Sequence, residues 1–184
     1  LITEKRIEYF DYCLICSHPP QTLEIFKNAD YLTKNLLSKF KYQKNKAVLH
    51  FDESVLPREK IAWAAWNYLS TESTSGNDKV SVSYLINKLQ PLPVEKAVIV
   101  TLNPASKIEK NKVVKEINYQ HPLFSIDAIR AQREIVNIQG RQGVYFSGAW
   151  LRYGFHEDGI LSSKSVINKL LKDDEKNEEL LRIL

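Results

Sequence analysis

The sequence predicts an α+β protein in which two pieces of an α/β domain lie at the ends of the chain. An antiparallel sheet with flanking helices is inserted between them. Three observations point there. Residues 7–17, IEYFDYCLICS, become nearly continuously apolar in their second half, as for a strand buried on both faces of a sheet. Residues 43–104 alternate in the manner of antiparallel strands. Residues 140–171, GRQGVYFSGAWLRYGFHEDGILSSKSVINKLL, read as turn, short strand, glycine, loop, glycine and helix.

Taken in order, the first strand stops at His18-Pro19-Pro20, where proline cannot continue a ladder. Residues 21–40 are helical: Leu32, Leu36, Leu37 and Phe40 share a stripe, and Asp30 is a candidate N-cap. Strands follow at 47–51, 61–69, 80–89, 97–102 and 112–119. A turn is expected at 52–57, and STESTSGNDK (70–79) forms a hairpin connection. An amphipathic helix spans 125–136 with Ser125 as its cap. The strand Val144–Phe146 ends at Ser147-Gly148-Ala149. The helix beginning at Gly159 is expected to bury Ile160, Val166, Ile167, Leu170 and Leu171. The resulting divisions are 1–27 with 138–172, an inserted 41–136, and a charged, peripheral helical tail at 173–184.

At 184 residues, 43% hydrophobic and 26% charged, the chain reads as globular. A net charge of +4 with scattered lysines argues against a nucleic-acid footprint. No apolar run approaches the roughly 20 residues of a membrane span. Cys13 and Cys16 point to opposite faces of a strand, which disfavours a local disulfide and fits a reducing cytoplasm. The same alternation keeps Cys13, Cys16 and His18 from converging on a metal, so none is expected. Phe146-Ser147-Gly148 lacks the first glycine of a nucleophile elbow.

The run from Tyr153 to Ser163, YGFHEDGILSS, together with Gly148 and Ala149, resembles the C-terminal flavin-contacting motif of the flavin-containing amine oxidase family. It is most similar to that family's "predicted NAD/FAD-binding" oxidoreductase relatives. FDYCLICSHPPQTLEIF (10–26), NKAVLHFDESVLP (45–57), AWAAWNY (62–68) and VTLNP (100–104) agree with the same group in the same order. The resemblance implies that the two end pieces belong to an FAD-binding domain and the insert to a substrate domain. No G-x-G-x-x-G run is present, so the chain is expected to be the C-terminal part of a longer oxidoreductase whose N-terminal dinucleotide-binding half is its partner.

The resemblance also implies the site. Gly148, Ala149, Tyr153, Gly154, Phe155, His156, Gly159 and Ile160 face the cofactor, with unpaired N–H groups of Gly159 and Ile160 at the flavin's N1/C2=O edge. Gly148 and Ala149 lie against the ribityl–pyrophosphate portion. Relatives carry Asp or Glu where this chain has Ala149, which removes a hydrogen bond to the cofactor. Glu157 and Asp158 read first as carboxylates favoured by a helix start, and otherwise as part of a loop packed beside the flavin. His18 is either a plain strand end or part of a loop near the cofactor.

Trp63, Trp66, Asn67 and Tyr68 are expected in one strand, with Trp66 and Tyr68 on one face and Trp63 and Asn67 on the other. They form core or line a cavity for a small, apolar substrate. Exposed apolar surface left by the absent half predicts a homodimer of this piece. A reading from another class is a non-catalytic sheet domain that binds a protein or lipid.

Overall fold

The computed structural model describes residue 2 and residues 6–71 and 79–183, the side chains of 71, 79 and 177–183 excepted; most of the predicted 70–79 connection therefore lies outside the described residues. In chain order the elements are β1 (Cys13–Ile15), α1 (Pro19–Ile25), α2 (Tyr31–Leu37), β2 (Tyr42–His50), β3 (Trp66–Thr71), β4 (Lys79–Leu85), β5 (Ile99–Leu102), β6 (Val113–Pro122), α3 (Ile126–Glu134), β7 (Val144–Phe146) and α4 (His156–Ile183). The class is α+β, as expected. The chain divides into two units, residues 1–42 with 122–184 and residues 43–121.

In the first unit β1 and β7 pair in parallel, Cys13 with Val144 through Ile15 with Phe146. The strand expected over 7–17 is confined to three residues. No described strand lies along its other edge, and Tyr9 and Phe10 are exposed. β1 ends at Ile15, ahead of the expected stop at His18-Pro19-Pro20, and Pro19 opens α1 at a position where a missing N–H costs nothing. The helical stretch 21–40 is broken into α1 and α2. The Asp30 side chain accepts from Thr33 N–H at 2.8 Å and restarts the helix. Leu36, Leu37 and Phe40 then pack with Ala128, Ile138, Phe146 and Trp150. Because Ala128 and Ala131 lie in that core, α3 belongs to the first unit, and the insert ends at 121 rather than 136.

Two expectations about α4 are corrected. Of the five side chains expected to be buried there, Val166 is; Ile160, Ile167 and Leu171 form an exposed stripe at i, i+7 and i+11 that nothing in the described structure covers. Nor is the tail from 173 peripheral at its start. Asp173 and Asp174 accept hydrogen bonds from Tyr145 (2.8 Å) and Tyr12 (3.0 Å), tying α4 to β7 and to the approach to β1.

The second unit is a five-stranded sheet in the order β3-β4-β5-β2-β6, with antiparallel pairing across β3–β4, β4–β5 and β5–β2. One face carries Val48, Leu85 and Ile99, packed under Val55, Leu56, Ala97 and Ile108. A polar chain is buried on that face. His50 Nε2 meets Thr101 Oγ1 at 2.7 Å, and Thr101 meets Ser83 Oγ at 2.9 Å. The opposite face presents Trp66, Tyr68 and Val80 to solvent.

Candidate functional site

The carboxyl ends of β1 and β7 lie at the same end of the parallel pair, where α/β proteins place ligands. Ser147 N–H closes the pair by donating to Ile15 C=O at 3.1 Å. Gly148 follows with φ of 156°, and a Cβ there would stand 2.5 Å from Trp150 Nε1, so only glycine fits. Its N–H donates to Ser162 Oγ (3.0 Å). Ser147 Oγ lies 3.0 and 2.9 Å from the hydroxyls of Ser162 and Ser163, and both of these donate to Gly159 C=O. Serines therefore staple the end of β7 to the second turn of α4. Ala149 sits beside Gly159, where an added Cβ would meet nothing nearer than 3.9 Å.

The loop between them is pinned by one carboxylate. Asp158, 6% exposed, accepts from Tyr153 N–H (3.2 Å) and Phe155 N–H (3.1 Å) through Oδ2, and its Oδ1 lies 3.3 Å from Arg152 Nε. Gly154 takes a φ of 91° inside this loop. The helix begins at His156, three residues earlier than expected. Glu157 and Asp158 are thus inside the first turn, favoured there by the helix dipole, and Asp158 also takes the N–H of the residue before the helix.

This start moves the unpaired groups. Gly159 N–H donates to Phe155 C=O at 3.2 Å, the first bond of the helix, and Ile160 follows it into the second turn. The expectation of free N–H groups at Gly159 and Ile160 is corrected. The N–H groups without an acceptor inside the helix are those of His156, Glu157 and Asp158. Tyr153, Phe155, His156 and Ile160 surround this turn and are exposed. Gly148, expected against a cofactor, has its N–H bonded to Ser162.

Two buried donors lie outside the residues the sequence pointed to. Trp150 Nε1 and Tyr42 Oη are buried without a partner in the described structure. Burial pushes the Tyr42 phenol up to about 12, keeping it protonated, and its ring stacks on His18 at 4.6 Å, just beyond the end of β1. Trp150 Nε1 faces Gly148. An aromatic two residues after a turn glycine was the available signal for Trp150; Tyr42 had none. This end of the unit is rich in donors and suits a group that carries acceptors.

The aromatic group of the insert does not form one strand. β3 begins at Trp66, and Trp63 lies in the preceding turn with Nε1 donating to Pro57 C=O at 2.8 Å. Asn67 is buried and spent on the backbone: its amide bonds Ala64 N–H (3.0 Å), Ala64 C=O (2.8 Å) and Ser83 C=O (3.3 Å). Trp66 and Tyr68 are left on the open face, with Trp66 edge-on to Tyr84 at 5.2 Å. Cys13 and Cys16 are free thiols. Among the described residues no three His, Cys, Asp or Glu side chains gather as for a metal, and no helix is long and apolar enough to cross a membrane.

No protein-family model matches the chain, and no curated protein matches it.

Proposed function

We propose that this chain is the flavin-contacting C-terminal part of an FAD-dependent oxidoreductase resembling the amine oxidase family. The observation that carries the reading is the arrangement at the end of the β1–β7 pair. A strand leads through a glycine fitted to its turn into a helix whose first-turn N–H groups are unspent, and two further buried donors have no acceptor. FAD, when bound, supplies the hydride- or electron-accepting chemistry. This chain's part is to hold and polarise it. The His156 and Glu157 N–H groups and the dipole of α4 favour negative charge at the helix start. Asp158 fixes the loop that presents them, and the serine staple fixes the helix on β7.

The partner in this reading is an N-terminal dinucleotide-binding half. Two parallel strands are too few to stand as a sheet. Leu14 of β1 and the Ile160, Ile167 and Leu171 stripe of α4 are apolar surface that such a half would bury. The substrate is a small apolar molecule faced by Trp66 and Tyr68, and the free thiols fit the cytoplasm.

The test joins the chain to a half carrying the phosphate-binding glycines and titrates it with FAD, following flavin fluorescence. Saturable quenching at one flavin per polypeptide is expected. Absence of quenching would overturn the proposal and favour a sheet domain that binds a partner.

A further inference from the structure

The edge of the second unit's sheet has a bonding pattern of its own. Leu85 N–H donates to Ala65 C=O at 2.9 Å, just ahead of the register Trp66–Tyr84, Asn67–Ser83, Tyr68–Val82 and Leu69–Ser81. In an antiparallel ladder, bonded and non-bonded pairs alternate. Asn67 and Leu69 therefore turn their backbone groups toward β4. Trp66, Tyr68 and Ser70 turn theirs outward. β3 is a terminal strand of the sheet, so these three residues present a row of N–H and C=O groups along its edge.

Natural proteins usually blunt such an edge with charge, proline or a bulge. The opposite edge does so: β6 carries Lys115, Glu116 and His121 and ends at Pro122. β3, with the sequence WNYLST, has neither charge nor proline. Trp66 and Tyr68 stand 52% and 68% exposed beside this bare edge.

We infer that β3 pairs antiparallel with β3 of a second copy of this chain, about a two-fold axis at Tyr68. The register follows from the outward groups. Setting Tyr68 opposite Tyr68 of the second copy places Trp66 opposite its Ser70, and Ser70 opposite its Trp66. Each of these is then a bonded pair, and every outward N–H and C=O of the three residues finds a partner. Even-numbered residues face even-numbered residues, so the aromatic face continues across the axis; a slip of one residue would join the polar, buried face of one copy to the aromatic face of the other. The strand carries no charge, so copies related by the axis meet no like-charge repulsion. This surface lies in the second unit and does not depend on the flavin reading.

The experiment is sedimentation of the chain over a range of concentrations, with three variants. Wild type is expected to rise toward twice the mass of one chain. Tyr68→Pro removes one outward N–H without touching the β4 ladder and is expected to stay at the mass of one chain with unchanged circular dichroism. In a Cys13→Ser, Cys16→Ser background, Tyr68→Cys is expected to form a covalent dimer under mild oxidation. Trp66→Cys in that background is not, because the paired register holds residue 66 of the two copies roughly 13 Å apart, beyond the reach of a disulfide. A single-chain mass for wild type at every concentration would overturn the inference. So would a dimer that survives Tyr68→Pro, or cross-linking at 66 rather than 68; either would assign association to another surface.

Discussion

The buried polar chain of the second unit makes Thr101→Val a sharp perturbation. Thr101 links His50 and Ser83, which are 0% and 2% exposed, so neither group recovers water when the hydroxyl is removed. Each of the two orphaned groups costs about 1–3 kcal/mol, against which the added methyl returns about 0.8 kcal/mol, for a net loss of about 1–5 kcal/mol. The same network predicts a pH dependence. Asp52 N–H donates to His50 Nδ1 at 3.0 Å, which leaves the proton on Nε2 and the ring neutral. Burial holds the His50 pKa below its usual 6.5, against the opposing pull of the Asp52 charge. The unfolded chain therefore binds a proton before the folded one does. Stability is level above about pH 7.5 and falls as pH drops below 6.5, by up to about 1.4 kcal/mol per pH unit.

Asp52 acts lower. Burial raises its pKa, but the Glu109 and Ser54 N–H groups and the Lys112 charge outweigh that and bring it to about 2. Its contribution is present above 3.8 and disappears only as pH falls from there, so the two windows separate. Peptide-resolved amide exchange across β2 and β5, in urea and at pH 5 to 8, reads this unit alone. A Thr101→Val loss under 0.5 kcal/mol, or stability level from pH 7.5 to 5, would refute the reasoning.

Other outcomes follow from the first unit. Gly148→Ala forces a Cβ into the Trp150 indole at a backbone angle that alanine avoids, and is expected to cost about 2–4 kcal/mol in urea unfolding followed by tryptophan fluorescence. Gly159→Ala, whose Cβ would make only ordinary contact with Ala149 at 3.9 Å, is expected to stabilise by about 0.5–1 kcal/mol in the same assay. Tyr145→Phe removes the 2.8 Å bond to Asp173, while Lys169 still pairs with that carboxylate. A loss of about 0.5–1.5 kcal/mol is expected, with faster amide exchange confined to the second half of α4.

Local signals carried much of the fold. Pro19 opens α1, Asp30 and Ser125 cap the helices they were expected to cap, and alternation located β4. Errors arose where a side chain's partner lies outside its own segment. Apolar character at 7–17 cannot make a long strand without a neighbour. Trp63 leaves β3 because Asn67 folds back on Ala64. α4 starts three residues before Gly159, the expected opening, because the acidic pair inside its first turn marks the start. His50, Thr101 and Ser83 meet only through a register of strands far apart in the chain, and single-residue patterns do not encode that register.

The central claim is the flavin, and the visible absorption spectrum of the polypeptide purified with its dinucleotide-binding half tests it most directly. The account predicts yellow protein with the paired flavin bands, releasing FAD on denaturation. A colourless protein that also takes up no added FAD would contradict it.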